Sequence, residues 1–149
     1  MSDPRKGYYT VSVILNNGLM GAPSLHLTLG VNAVTGQITG HGDITQALAP
    51  PFGELFIPYV TGQIEYVGFG DAGMLVSLEG RYAIPFGPPP LIGHINALLR
   101  AAFVVDSEWN GEGSFSDGVR AEHRVPDCKV RKVTPQRDAP VNAGETATV

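Results

Sequence analysis

His41 and Asp43 stand two residues apart in the segment Gly40-His41-Gly42-Asp43-Ile44. In an extended strand that spacing puts both side chains on one face. An imidazole beside a carboxylate can serve as a general base or as two ligands of a metal ion. His26 occupies a polar position of the preceding strand-like segment and joins them if the two segments pair. His26, His41 and Asp43 are therefore a candidate metal or acid–base site, with a solvated surface contact as the simpler reading. Glu65 and Glu79 lie on neighbouring candidate strands. Acids that face each other can divide acid and base roles, but Arg81 offers Glu79 a plainer neutralising partner. Trp109 is a candidate ligand-stacking residue or a plug over one end of the fold. Cys128 is either a reactive thiol or an inert exposed one.

Other chemistry is missing. No GxxxxGK[ST] or GxGxxG phosphate loop is present, no GxSxG elbow, and none of the four histidines, His123 and His94 included, stands in an HExxH spacing. No motif implies a cofactor, and the reading leans away from an enzyme.

Two proline-rich segments carry the strongest binding signal. They are Ala49-Pro50-Pro51-Phe52-Gly53-Glu54-Leu55-Phe56-Ile57-Pro58 and Ile84-Pro85-Phe86-Gly87-Pro88-Pro89-Pro90-Leu91. Proline stiffens them and removes backbone donors. Phe52, Leu55, Phe56 and Phe86 either fold back to plug the ends of the fold, or rim a ligand mouth or partner patch.

Composition bounds what surrounds these residues. The chain has 149 residues, a net charge of -4 and only 16% charged residues, against roughly 25% in an average globular chain. It is long enough for one domain with a real core. The acidic balance excludes an ordinary basic nucleic-acid binder. One cysteine excludes a disulfide scaffold. No apolar run approaches the roughly 20 residues of a membrane-spanning helix. The start Met1-Ser2-Asp3-Pro4-Arg5-Lys6 has no apolar stretch of a secretory signal, so a cytoplasmic location is expected.

The positioning elements read as strands. Tyr9, Val11, Val13 and Leu15 share one face, and Asn16-Asn17-Gly18 turns the chain. Leu25, Leu27, Leu29 and Val31 form the next apolar face. Gly36, Ile38, Gly40, Gly42 and Ile44 form a glycine-lined face that lets the sheet bend sharply or another backbone come close. Strands follow over 60–68 and 74–83, and a last strand or hairpin from Trp109 to about Val119. Residues 91–105 fit helical spacing at Ile95, Leu98, Leu99, Ala102 and Phe103. They also make an unbroken strand face at Ile95, Ala97, Leu99, Ala101, Phe103 and Val105, and the β-branched pair Val104-Val105 favours the strand. Thr35-Gly36-Gln37-Ile38 is echoed by Thr61-Gly62-Gln63-Ile64.

The expectation is an all-β domain over 7–124, an antiparallel meander of seven or eight strands closed as a small barrel or folded as a β-sandwich. A flexible lead (1–6) and a mostly disordered tail (125–149) flank it. Lys and Arg are absent between Gly7 and Gly80, which leaves few edge-blocking charges, so edges must be paired, covered or closed.

Three segments resemble a family of small uncharacterised bacterial all-β proteins. They are Gly21-Ala22-Pro23-Ser24-Leu25-His26-Leu27, Gly40-His41-Gly42-Asp43-Ile44-Thr45-Gln46-Ala47 and Val105-Asp106-Ser107-Glu108-Trp109-Asn110-Gly111. The resemblance covers roughly residues 7–120. It implies an all-β fold and no assigned activity, catalytic residue or cofactor. Two functions stand out. The first is a binding module for a small apolar ligand held inside the barrel and gated by the two proline loops. The second is a structural or interaction domain that associates with itself or with a protein partner through low-charge faces and the aromatics Phe52, Phe56 and Phe86.

Overall fold

Alternation of apolar and polar residues builds every wall of the molecule. A computed structural model describes residues 7–47, 53–69, 72–85, 93–118 and 124–133. Within them run eight strands: β1 (Tyr8–Asn16), β2 (Ser24–Asn32), β3 (Gln37–Thr45), β4 (Glu54–Phe69), β5 (Ala72–Pro85), β6 (His94–Val105), β7 (Gly111–Ser116) and β8 (Arg124–Val133). Each pairs antiparallel with the next, and β8 returns to β1, from Ser12↔Val133 to Asn16↔Lys129. The result is a closed up-and-down barrel. Closure, not charge, removes the sheet edges.

The inward faces of β1, β2 and β6 are those the alternation predicts: Val11, Val13 and Leu15, then Leu25, Leu27, Leu29 and Val31, then Ala97, Leu99, Ala101, Phe103 and Val105. The strand reading of 94–105 holds because its outward neighbours include His94, Asn96 and Arg100, all exposed. Ser12 and Asp117 are the buried polar residues among those described.

Two boundaries differ from the sequence reading. Strand β4 begins at Glu54, inside the segment read as a loop up to Pro58. Proline is tolerated there because a bulge sets Pro58 and Tyr59 against His41 alone, with Gly42 paired to Ile57 and Gly40 to Val60. The bulge also changes the phase, so that Leu55 and Ile57 on one side and Val60 and Ile64 on the other all face inward. The second difference is β8. Residues 124–133 belong to the domain and close it, and the part of the expected tail from 134 onward lies outside the described residues. Val125, Cys128 and Val130 are buried, but Asp127 has a φ of 57° and a bulge lies opposite Gly113–Phe115. That irregular spacing hides the strand's period.

The glycine-lined face of β3 serves close approach. A Cβ at Gly40 would lie 2.1 Å from the carbonyl oxygen of Thr28 on β2. The two Thr-Gly-Gln-Ile echoes lie against each other, Gln37 opposite Gln63 and Ile38 opposite Gly62, and the Ile64 N–H donates to the Gly36 carbonyl at 2.8 Å. The echo is a cross-strand match.

Candidate functional site

A cavity wide enough for one water would leave accessible surface on the side chains around it. Val13, Leu15, Leu25, Leu29, Val31, Ile44, Ile57, Val60, Val76 and Leu99 have none. Side chains therefore fill the middle of the barrel. A site for a small ligand also needs a few polar groups converging on it, but the polar atoms of the described core residues Tyr82, Cys128 and Trp109 already bond Asp117, Val125 and Tyr9. The buried strand glycines Gly42 and Gly80 leave no room either, because the carbonyl oxygens of His26 and Tyr59 and neighbouring side chains occupy the space a Cβ would take.

Trp109 closes the end of the barrel formed by the β2–β3 and β6–β7 turns. It is 2% exposed. Its ring meets Tyr9 and Phe103 edge-on, with centroids 6.4 and 6.3 Å apart, and its Nε1–H donates to the Tyr9 hydroxyl at 3.1 Å. Asp106 shapes the turn: its Oδ1 accepts the N–H of Glu108 at 2.8 Å and of Asn110 at 3.1 Å. Asn110 Oδ1 in turn accepts the Lys132 N–H of β8 at 3.1 Å. The segment Val105–Gly111 thus plugs and ties the barrel, and Trp109 has no face left for a ligand.

Cys128 is buried, which corrects the expectation of an exposed thiol. Pro126 and Asp127 suggest a solvated segment, but the bulge turns the thiol inward between Val125 and Val130. Burial first, and the Asp127 carboxylate second, push its pKa from 9.0 up to about 11. The native thiol keeps its proton over a range in which the unfolded chain releases it. Through Cys128, stability is expected to fall as pH rises from about 9 to about 11, above which this contribution is gone. Burial and the nearby Asp117 also push Tyr82 well above the phenol range, and its hydroxyl donates to the Asp117 carbonyl, so Tyr82 adds to the loss from about pH 10 upward, and the fall continues past the Cys128 window. Urea midpoints across that window would show it, with a shallower fall in Cys128→Ala. A thiol reagent is expected to label Cys128 only on unfolding, and immediate labelling of native protein would contradict the burial.

Glu65 and Glu79 do not face each other. Glu65 is opposite Leu75 and Glu79 opposite Thr61, about four residues or 14 Å apart along the sheet. The paired-acid reading fails on register. Phe52, Phe86 and His123 lie outside the described residues. Strand ends Thr45, Glu54, Pro85 and His94, which flank the two proline segments, all stand at the barrel end opposite Trp109. Leu55 is a core residue at 3% exposure.

The remaining candidates gather on the outer wall of β2, β3 and β4. His26 is directly opposite Asp43, Asp43 is opposite Phe56, and Thr28 is opposite His41. The trio therefore shares one face, as its spacing predicts. Among the described residues, no group of three His, Cys, Asp or Glu side chains comes together to hold a metal ion. The wall is convex and wet, so nothing excludes water from the His26–Asp43 pair. Aromatic rings dominate instead. Phe56 and Tyr59 are each 60% exposed, and the His41 ring lies 6.3 Å from that of Phe56. Around them stand Thr28, Thr39, Thr45, Thr61, Gln37 and Gln63. Charge of both signs begins only at Glu79 and Arg81 on β5, which with Tyr59 and Thr61 line a shallow groove of about 230 Å³. Sequence reasoning missed Tyr59 because the bulge that turns it outward is invisible without the register.

The fold and this surface define a class: an up-and-down β-barrel with a side-chain-filled interior and its exposed aromatic surface on the outer wall. Residues 6–119 match the family model described as Domain of unknown function (DUF1842), and the chain belongs to that family. The match spans β1 to β7, and β8 lies beyond it. A search of curated proteins finds no match.

Proposed function

We propose that the domain is a non-enzymatic interaction module that self-associates through the outer wall of β2–β4. The carrying observation is the exposure of Phe56 and Tyr59, 60% each, on a wall without a single Lys or Arg. Exposed aromatics on a low-charge surface are the usual centre of a protein interface, with a polar rim around them. The threonines and glutamines desolvate at far lower cost than lysines would. A two-fold pairing sets the same patch against itself; among the described residues the wall's only charges are the carboxylates Asp43, Glu54 and Glu65, so the pairing must leave Glu54 and Glu65 in the solvated rim. Asp43 retains His26 as a cross-strand neighbour inside such an interface.

The test is sedimentation velocity over a concentration series. The native chain is expected to show a dimer. Phe56→Ser combined with Tyr59→Ser is expected to raise the dissociation constant at least about 100-fold, the loss of two aromatic anchors at roughly 2 kcal/mol each less some non-additivity. Both residues are outward, so the fold is expected to survive, and circular dichroism checks this. A chain that stays monomeric at every concentration, or a variant that dimerises like the native chain, would overturn the reading.

A further inference from the structure

We infer a second binding site on the opposite wall, for the anionic head of a small hydroxylated molecule. A groove of about 630 Å³ crosses the outer face of β5 to β8. Its floor is low because Ser77, Ala102 and Ser114 form one cross-strand row of small side chains. The next row reads Glu79, Arg100, Ser116, Arg124. Arg100 and Arg124 thus flank the Ser116 hydroxyl across two strand spacings, about 10 Å between Cα atoms. Guanidinium groups on stems that long reach across this spacing to a shared oxyanion, and the planar fork of arginine matches carboxylate and phosphate; both arginines line the groove.

Two further observations support an anion. Among the described residues, no carboxylate forms an ion pair with Arg100 or Arg124, although Glu79 is opposite Arg100 in register. The Arg124 guanidinium is instead steered over the groove by a 3.3 Å hydrogen bond from Nη2 to Ser114 Oγ. Farther along β8, Lys129 is already matched by an acid, standing opposite Glu112, so Arg100 and Arg124 are the cations that line this groove. Glu79 repels a second anion at the β5 side and accepts hydroxyl donors there. The fitting ligand carries one phosphate or carboxylate and a polyol body over Ser77 and Ser114.

Glucose 6-phosphate, glucuronate and glucose are the probes, titrated calorimetrically at constant ionic strength so that general screening is fixed. At least one charged sugar is expected to bind in the millimolar range or tighter, and glucose at least about tenfold more weakly than that one. Binding of only the phosphate or only the glucuronate identifies the head group. Arg100→Gln and Arg124→Gln are each expected to weaken binding about tenfold or more. Ala102→Trp, which fills the floor without altering charge, is expected to abolish it. The inference is overturned if neither charged sugar binds, if glucose binds as well as they do, or if the three variants bind like the native chain.

Discussion

Replacing Trp109 with alanine is expected to cost about 3–5 kcal/mol of stability, the range for deleting a buried tryptophan. The indole is the largest of the fully buried side chains, and it seals an end of the barrel. Its removal opens that end to water above Phe103 and leaves the Tyr9 hydroxyl without its indole donor. The backbone at Trp109 has a φ of 64°, a conformation that a bulky L-residue adopts at a cost of about 1–2 kcal/mol. Alanine keeps that cost and loses the burial that offsets it. Trp109→Phe retains much of the apolar area and is expected to lose about half as much, from the missing N–H donor and the smaller ring. Urea denaturation of the three proteins measures the difference. A loss under about 1 kcal/mol in the alanine variant would show that Trp109 is not the plug.

The second large effect is expected at Gly111. A Cβ there would sit 1.9 Å from the carbonyl oxygen of Val104 and 2.9 Å from Val105 Cα. Both are backbone atoms of β6 held in the ladder, where Gly111 pairs with Val105 and, on the other side, with Val130. No rotamer change relieves such a contact, so the strand itself must move. Gly111→Ala is expected to destabilise by about 3 kcal/mol or more, the upper range of overpacking. Gly73 is the control. Nothing lies within 4 Å of its Cβ position. Gly73→Ala is expected to be neutral or to stabilise by up to about 1 kcal/mol, because alanine restricts the unfolded chain. Equal effects at the two glycines would contradict the close-approach account.

These two positions also mark how far the fold was readable. The wall residues of β1, β2 and β6 announce themselves, because a barrel that is dry inside and wet outside imposes a strict two-residue period on regular strands. Bulges defeat that reading. The β4 bulge at Pro58–Tyr59 and the β8 bulge at Asp127 each insert a residue, shift the phase and make a strand resemble a loop or tail. The surface follows the same rule. His26, His41 and Asp43 share a face by spacing alone, and so could be grouped in advance. Whether His26 meets His41 or Asp43 depends on register, and the register sets it against Asp43. Arg100 and Arg124 come together only because the short β7 sits between their strands, which neither local sequence announces. The gain from the structure is largest for the interior. Glycine-lined strands fit either an open barrel or a tightly curved one, and only the neighbouring backbone atoms decide between them.

The central claim is that the interior is full and the outer wall of β2–β4 binds a second copy. Native mass spectrometry of the whole chain, with a denatured control, tests both parts in one spectrum. The account predicts a species at twice the 15.8 kDa chain mass with no added mass that vanishes on denaturation. A monomer carrying an apolar molecule that is lost on denaturation would contradict it, returning function to the interior of the barrel.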